Sequence, residues 1–402
     1  MQKNVLIVNG NNSPISINQL IFNNNFCNIS FLNEKAKAKN FNNGETLVRI
    51  FADNSGFDFY DCEYCIVIES LTSNFAVGKS VNDVFSETEL IINALRSKNQ
   101  EMKIFLIATD FCYARQDRAI NKSEVIDGVE YQTAEPQTLK LKLQSLKNSG
   151  LNTLINFDPH SIVLYENCKN LDIELIIQSH EDFISFLGDI FYRMFDVDDR
   201  EIELFFHIFS ELEDTSKLNL ISVKKMKLIL DFFNDELMLV APDKGCSEKI
   251  KSLAHAIHQK LNTMLLAYNN FNLINLLHSE ISSLIIKKIR SEPGKSSVAE
   301  IEGNAKDRSC LIIDDILDTG GTLCNAAEAI KFGHDAKKVW CFITHGVLSG
   351  DAVSKLSNSC IESVNLTNSI TSVYKKTLGN NRFKIYDLSG LISKIICNII
   401  KS

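Results

Sequence analysis

The segment Asp314-Asp315-Ile316-Leu317-Asp318-Thr319-Gly320-Gly321-Thr322 brings together three acids, two glycines and two threonines. It follows the apolar run Cys310 to Ile313, which predicts a buried strand, and it precedes a predicted helix from Leu323 to Lys331. A loop that opens a helix presents backbone N–H groups and the positive end of the helix dipole, and phosphate binds there. The glycines let the backbone approach the anion, and the threonines add hydroxyl donors. The segment therefore predicts a phosphate-binding loop.

The two adjacent acids ahead of this loop need a different explanation, because carboxylates do not bind phosphate. Asp314 and Asp315 supply closely spaced oxygen acceptors, which suit a vicinal diol or a divalent cation. A sugar phosphate would satisfy both parts of the segment, with its hydroxyls toward the acids and its phosphate toward the helix. The alternative is an acidic turn that only caps the helix.

Five other short segments carry residues of the kinds that bind nucleotides or metal ions. They are Phe41-Asn42-Asn43-Gly44-Glu45, Tyr113-Ala114-Arg115-Gln116-Asp117-Arg118, Asp158-Pro159-His160, Ala241-Pro242-Asp243-Lys244-Gly245 and Lys288-Ile289-Arg290. Most of them come after a predicted strand, and open α/β sheets bind their ligands at the carboxyl ends of strands. Each also has an ordinary interpretation: a solvated charge cluster for the Arg-Gln-Asp-Arg run, a structural role for His160, and a solvated strand end for Lys288.

Taken together, the six segments resemble the ribose-phosphate pyrophosphokinase family. The acidic glycine loop alone is equally similar to that of type I phosphoribosyltransferases, so the other five segments carry the distinction. The resemblance implies an enzyme that transfers a diphosphoryl group from ATP to C1 of ribose 5-phosphate. It covers nearly the whole chain except three insertions, near residues 121–135, 184–234 and 262–280.

The resemblance also implies which residues bind ATP and the metal ion. Phe41 would stack on adenine, and the polar residues after it would read the edge of the base. The implied ATP-binding residues are Phe41, Asn43, Gly44, Glu45, Arg115, Gln116, Asp117, Arg118 and His160. The implied cofactor is Mg²⁺, with His160 and Asp243 as its protein ligands.

The remaining roles concern the sugar phosphate and the transferred group. The resemblance makes Lys288 and Arg290 the catalytic residues of a flexible loop, where their charges would stabilise the transferred group. The implied ribose 5-phosphate-binding residues are Arg290, Asp314, Asp315, Asp318, Thr319, Gly320, Gly321 and Thr322.

Three positions depart from the family pattern. Asn43 stands where members usually have Asp, which raises the question of nucleotide preference. Cys246 takes the place of a second glycine after Gly245. Ser55 stands where the bacterial type has an Arg that helps to bind regulatory phosphate. The sequences around His160 and Asp243 are more similar to those of the archaeal-type branch of the family than to those of the common bacterial type.

Short apolar runs alternate with helical periodicity, which predicts an α/β fold of two domains, each a mostly parallel sheet flanked by helices. The family resemblance implies that both domains are phosphoribosyltransferase-like. We expect an N-terminal ATP-binding domain at 1–170, joined by the C-terminal helix 388–402, and a ribose-5-phosphate-binding domain at 171–387. A helical insertion at about 184–234 would belong to the second domain. The predicted strands are Val5–Val8, Cys65–Ile68, Ile104–Ala108, Leu154–Phe157, Leu237–Ala241, Leu284–Ile286, Cys310–Ile313, Val339–Ile343 and Ile361–Val364.

The composition limits the partners. A formal charge of −8 gives no general attraction to nucleic acid or to an anionic membrane. No signal peptide or membrane-spanning stretch is evident, and eleven scattered cysteines predict free thiols in a reducing cytoplasm. Cys62 and Cys65 lack a second pair at zinc-ligand spacing, so we predict no zinc site there.

Two other functions remain open from the sequence. One is a catalytically silent regulatory subunit of the same family, although such paralogues typically lose or interrupt the flexible loop or the acidic loop, and both are intact here. The other is a type I phosphoribosyltransferase, which would not need the adenine loop or the Arg-Gln-Asp-Arg run. Family members assemble as homo-oligomers, so we expect one here, with ATP and ribose 5-phosphate as the partners.

Overall fold

The structure is a computed structural model, and it describes residues 3–20, 27–32, 36–51, 59–74, 77–116, 123–179, 182–211, 215–278, 280–289 and 298–401. The chain divides into two compact units. The first unit comprises Met1–Gln178, Asn368–Tyr374 and Asp387–Ser402, and the second comprises Ser179–Thr367 and Lys375–Tyr386. Among the described residues, no helix is both long enough and apolar enough to cross a bilayer.

The first unit contains a six-stranded parallel sheet. Its strands and those of two small hairpins are β1 (Lys3–Asn9), β2 (Cys27–Leu32), β3 (Ala36–Asn40), β4 (Thr46–Ile50), β5 (Tyr64–Glu69), β6 (Lys103–Ala108), β7 (Ser123–Ile126), β8 (Val129–Gln132), β9 (Thr153–Phe157) and β10 (Glu174–Gln178). The sheet order is β10-β9-β6-β5-β1-β2, and every pair in it is parallel. The interior strands β5, β6 and β9 are almost continuously buried, as expected for parallel strands covered on both faces.

The helices of the first unit are α1 (Val81–Lys98), α2 (Thr138–Ser149), α3 (Val163–Asn170) and α12 (Ser389–Lys401). Ser80 begins α1 with a capping box, because its side chain accepts from the N–H of Asp83 and the Asp83 carboxylate accepts from the N–H of Ser80. The first unit extends past the predicted boundary at residue 170, because β10 pairs with β9 in its sheet.

Two antiparallel hairpins stand apart from this sheet. The β3–β4 hairpin is held by Val48 and Ile50, which pack against the apolar core of the first unit. The β7–β8 hairpin lies within the insertion predicted near 121–135, and Val125, Ile126 and Val129 on it are exposed.

The second unit contains a seven-stranded sheet. Its strands are β11 (Leu237–Ala241), β12 (Ser283–Ile289), β13 (Val298–Glu302), β14 (Ser309–Leu317), β15 (Lys338–Gly346), β16 (Ser363–Thr367) and β17 (Phe383–Tyr386). The order is β13-β12-β11-β14-β15-β16-β17, and only the β12–β13 pair is antiparallel among the described strands. The strand predicted at Ile361–Val364 lies two residues later, because Ile361 and Glu362 belong to the turn that leads into β16.

The helices of the second unit are α4 (Ile184–Phe195), α5 (Arg200–Glu211), α6 (Val223–Asp231), α7 (Ser247–Ala267), α8 (Phe271–Ile274), α9 (Gly321–Gly333) and α10 (Ala352–Ser357), and α11 (Val373–Thr377) spans the boundary between the units. The segment predicted as helical near 184–234 forms α4, α5 and α6. Several of its phenylalanine pairs pack edge to face, such as Phe191–Phe233 with ring centroids 5.4 Å apart. The segment near 262–280 supplies the end of α7 and the short α8.

Glu69, at the end of β5, gives a testable pH dependence. Burial raises its pKa to about 8 from an ordinary value of 4.5, although the N–H of Ser70 donates to its carboxylate at 3.0 Å and opposes the shift. The folded chain therefore keeps a proton between these pH values that the unfolded chain releases. The free energy of unfolding should fall by roughly 4 kcal/mol as the pH rises through this window, and Glu69→Gln should abolish that fall.

Denaturant unfolding at pH 5 and pH 8.5 measures this difference. Glu101→Gln makes the same change at an exposed position and should keep the wild-type pH profile. Parallel profiles for the wild type and Glu69→Gln would show that Glu69 is not the group responsible.

Candidate active site

The acidic segment of the second unit lies where the order of its strands reverses. The chain passes from β11 to β12 on one side and later returns to β14 on the other side, so the reversal falls between β11 and β14. These two strands pair in parallel, with Val240 opposite Ile312. Their carboxyl ends therefore form a crevice of the kind in which open α/β sheets bind ligands.

Two segments meet in this crevice. The turn after β11 carries Cys246, and the end of β14 carries Asp314 and Asp315. The Sγ atom of Cys246 lies 3.1 Å from Oδ1 of Asp314. One ligand-type atom from each of the three residues lies within 4.8 Å of the others. Lys249 on α7 places its Nζ atom 3.5 Å from Oδ2 of Asp315.

Asp314 and Asp315 belong to the strand itself, which corrects the prediction that the strand ends at Ile313. Asp314 pairs with Ile343 of β15, and the ladder continues to Leu317. Each acid also accepts a hydrogen bond at 3.0 Å from the N–H of the next residue. The pairing fixes the backbone beneath both acids, and Asp315 is only 4% exposed.

The buried acids and thiol of this crevice hold their protons more tightly than exposed groups do. Burial, followed by the charge of Asp315, raises the pKa of Asp314 to about 7. Burial and then the charge of Asp314 raise the pKa of the Cys246 thiol well above its ordinary value. Lys249 supplies a positive charge beside Asp315, so one acid of the pair has a cationic partner at 3.5 Å.

The predicted phosphate loop runs from Asp318 to Thr322, and in the structure its last two residues are already the first two of α9, which begins at Gly321. Gly320 has a φ of 77°, a left-handed conformation that favours glycine, and it is the residue before the helix. The N–H of Ser349 donates to the carbonyl of Asp318 at 3.0 Å and anchors the loop. Thr319 and Thr322 are exposed, so their hydroxyls are accessible to an anion at the start of the helix.

Asp243 lies on the turn after β11. Its Oδ1 accepts from the N–H groups of Gly245 at 2.8 Å and Cys246 at 3.3 Å, which fixes the carboxylate. The side chain is partly exposed. A carboxylate held in this way fits an oxygen ligand for a hard cation.

The predicted adenine segment forms the tip of the β3–β4 hairpin in the first unit. The N–H of Phe41 donates to the carbonyl of Glu45 at 2.7 Å, and Gly44 adopts a φ of 87° to close the turn. Phe41 is 47% exposed and borders a surface depression of about 510 Å³, which Lys39, Asn40, Asn42, Asn43 and Glu45 also line. The ring is therefore available for stacking.

The side-chain carbonyl oxygen of Asn43 already takes part in a hydrogen bond. Its Oδ1 accepts from the N–H of Glu45 at 3.1 Å, which shapes the tip. An Asp could make the same hydrogen bond and keep a second acceptor, whereas Asn43 presents an N–H₂ donor in its place. The side chain of Asn43 can therefore both accept through the second lone pair of Oδ1 and donate to a ring nitrogen of a base.

The Arg-Gln-Asp-Arg run begins after β6, at a turn in which Tyr113 has a φ of 59°. Gln116 donates its N–H to the carbonyl of Tyr113 at 2.9 Å, and Arg115 and Gln116 are exposed. Asp117 and Arg118 lie outside the described residues.

His160 follows β9 in the next turn along the sheet. Asp158 is buried with a φ of 39°, and its N–H donates to the carbonyl of Gln178 at 2.6 Å. This bend places His160 at an exposed position near the carboxyl end of β9.

The predicted catalytic pair is only partly described. Lys288 lies in β12, where it pairs with Ala299 of β13, but its side chain is outside the described part of the structure. Arg290 and Ser55 also lie outside the described residues.

Sequence reasoning overlooked Lys249. Lys249 follows Asp243 by six positions and lies in the first turn of α7, which places it near the crevice. No charged partner could be assigned to it, because the ion pair with Asp315 joins residues far apart in sequence.

Two family models match the chain. The N-terminal domain of ribose phosphate pyrophosphokinase matches residues 7–129, and the phosphoribosyl synthetase-associated domain matches residues 280–402. Together they cover more than half of the chain, and neither includes α4, α5 or α6. The six segments discussed above fall within these ranges except those around Asp158 and Asp243.

Curated relatives extend the similarity over most of the length. The chain is 26% identical over 364 residues to a ribose-phosphate pyrophosphokinase of Vibrio cholerae, covering 90% of this chain and 87% of that protein. It is 39% identical over 136 residues to a ribose-phosphate pyrophosphokinase of Caulobacter vibrioides, covering 34% of this chain and 36% of that protein. The expected similarity to the archaeal-type branch stays a prediction.

A solved structure has the same fold. The phosphoribosylpyrophosphate synthetase of Mycobacterium smegmatis superposes with a TM-score of 0.65 at 19% identity, covering 99% of both chains. The predicted α/β fold with two mostly parallel sheets is thus confirmed. The acidic glycine loop, the two family models and the relatives that match along nearly the whole chain agree, and the chain belongs to the ribose-phosphate pyrophosphokinase family.

Proposed function

We propose that this protein is a ribose-phosphate diphosphokinase. It transfers the β,γ-diphosphoryl group of ATP to the C1 hydroxyl of D-ribose 5-phosphate. The products are 5-phospho-α-D-ribose 1-diphosphate and AMP, and the first of these feeds nucleotide biosynthesis.

The observation that carries this proposal is the arrangement at the end of β14. Two acids fixed by strand pairing are followed at once by a glycine turn and the start of α9. Carboxylates accept hydrogen bonds from sugar hydroxyls, and the backbone N–H groups at the start of a helix bind the 5-phosphate. Ribose 5-phosphate carries both kinds of group, so its hydroxyls lie toward Asp314 and Asp315 and its phosphate toward residues 318–322.

The first unit supplies the groups for ATP. Phe41 offers an exposed ring on the hairpin tip for stacking on adenine, and Asn43 and Glu45 border the same depression. Arg115 is exposed after β6, where a guanidinium suits a polyphosphate. Gln116, Asp117, Arg118 and His160 complete the proposed ATP-binding set.

The reaction needs no covalent intermediate with the protein. The C1 oxygen of ribose 5-phosphate attacks the β-phosphorus, the bond between that phosphorus and the α,β-bridging oxygen breaks, and the C1 hydroxyl loses its proton. AMP leaves with the bridging oxygen. Lys288 and Arg290 stabilise the negative charge on the transferred group, so positioning and electrostatics supply the rate.

Mg²⁺ is the proposed cofactor. His160 and Asp243 are its proposed ligands, and the fixed, partly exposed carboxylate of Asp243 fits such a role. When bound, the ion neutralises phosphate charge. We further propose a cytoplasmic location, which is supported by the free thiols of the ten cysteines that the structure describes. We also propose a homo-oligomeric assembly.

Product analysis tests the reaction directly. Purified protein with ATP, Mg²⁺ and ribose 5-phosphate should form AMP and 5-phosphoribosyl diphosphate in equal amounts, detected by mass spectrometry. Binding of ATP without either product would favour the silent regulatory subunit. Failure to bind ATP would favour a phosphoribosyltransferase.

Phe41→Ala tests the adenine contact. Loss of the ring should raise the KM for ATP by about 10- to 100-fold, because stacking of a base on an aromatic side chain contributes on the order of 1–3 kcal/mol. The KM for ribose 5-phosphate should change little. Phe51→Ala is the matched control, since Phe51 is also 47% exposed and lies just after β4. Equal ATP KM values for the two variants would contradict the role of Phe41.

A further inference from the structure

The crevice between β11 and β14 contains a sulfur atom among oxygen ligands. Cys246 is 7% exposed, and its Sγ atom lies 3.1 Å from the Asp314 carboxylate. Oxygen ligands suit Mg²⁺, whereas thiolate selects softer cations such as Zn²⁺. A glycine at position 246, which the family pattern favours, would leave only the acids.

The distances among these groups suit a small divalent ion. With ordinary Zn–S and Zn–O bond lengths, ligand atoms around tetrahedral zinc lie roughly 3.3–3.7 Å apart. The Cys246–Asp314 pair already lies at 3.1 Å, and the Asp315 atom lies within 4.8 Å of both. A side-chain movement of about 1 Å would therefore bring three ligands to a common centre.

The charges also favour a cation. Asp314, Asp315 and a Cys246 thiolate carry three negative charges, and the nearby Asp243 carboxylate, which accepts from the N–H of Cys246, adds a fourth. Lys249 offsets one of them, so the cluster attracts a divalent cation. The thiol proton leaves to solvent as the cation binds, as for other thiolate sites.

We propose that Cys246, Asp314 and Asp315 form a site for a thiophilic divalent cation, Zn²⁺ or its probe Cd²⁺, that excludes ribose 5-phosphate from the crevice. The competition rests on the proposed function, because the same two acids are assigned there to the sugar hydroxyls. Metal binding itself does not depend on that assignment. A trace amount of a thiophilic metal ion therefore inhibits the enzyme, and bound ribose 5-phosphate prevents this inhibition.

The first test measures binding without activity. Cd²⁺ is added to the full-length protein in excess Mg²⁺, and the near-ultraviolet charge-transfer absorbance of cadmium thiolate is recorded. Wild type should show one more Cd²⁺ equivalent than Cys246→Ala. Cys397→Ala removes a partly exposed thiol on α12 and should keep that equivalent. Cys246→Ser, which keeps the size of the side chain, should behave as Cys246→Ala does.

Equal absorbance in wild type and in both Cys246 variants would overturn the metal site. If wild type and the Cys246 variants differ in absorbance, ribose 5-phosphate should abolish that difference. Cd²⁺ should also inhibit the wild type at least tenfold more strongly than it inhibits Cys246→Ala, when the rate of each protein is compared with its own rate without the metal. Persistence of the absorbance at saturating ribose 5-phosphate would overturn the competition. A protein that makes no AMP would contradict the proposed function, yet the absorbance difference would still decide the metal site.

Discussion

Asp315→Asn is expected to lower kcat/KM for ribose 5-phosphate by roughly 100- to 1,000-fold while the KM for ATP stays within about twofold. Asp315 is buried, fixed by the β14–β15 ladder and paired with Lys249, so its charge and position are set before the sugar binds. An amide keeps the shape but loses the charge-assisted hydrogen bond to a hydroxyl, which is about twice as strong as a neutral one. It also leaves Lys249 without the carboxylate.

Steady-state kinetics with each substrate varied in turn measure this effect. Asp335→Asn is the matched control, because it makes the same change at an exposed turn where a φ of 52° is tolerated by Asn. Its kinetics should equal those of the wild type. A value of kcat/KM for Asp315→Asn within fivefold of the wild type would remove Asp315 from the sugar site.

Many strands of the two large sheets could be predicted because they are continuous apolar runs. Val5–Val8 and Leu237–Ala241 contain no polar residue, and both lie in buried strands. The end of β14 could not be predicted, because Asp314 and Asp315 are poor strand residues and only the pairing with β15 keeps them in the ladder. Tertiary pairing overrode local propensity there.

The sequence predicts which kinds of chemical group the candidate site would recognise, but it does not predict which residues of the site contact one another. The composition of the acidic glycine loop predicts recognition of a phosphate and of hydroxyl groups. That Cys246 meets Asp314 depends on β11 lying beside β14, and the sequence does not encode which strands are neighbours in a readable pattern. The same adjacency brings Lys249 to Asp315. These contacts join residues 68 positions apart (Cys246 and Asp314) and 66 positions apart (Lys249 and Asp315), so only the assembled sheet reveals them.

Lys288→Ala is expected to lower kcat by roughly 1,000-fold or more, with the KM for ATP nearly unchanged. Developing charge on a transferred phosphoryl group is stabilised by fixed cations, and loss of one such cation costs this much in comparable enzymes. The assignment rests on the family resemblance, and the backbone of Lys288 lies in β12 directly beside β11, whose following turn carries Asp243.

Single-turnover kinetics with bound ATP separate the chemical step from product release. Lys287→Ala removes the same charge from the adjacent position and should retain at least a third of the wild-type rate. Equal losses in the two variants would mean that the positive charge of β12 acts on binding of anions in general. The expected result is a loss that Lys288→Ala shows and Lys287→Ala does not, and that lowers the single-turnover rate without changing the KM for ATP. An interaction made only in the transition state changes kcat alone, so this result requires that the ammonium group of Lys288 acts on the transition state.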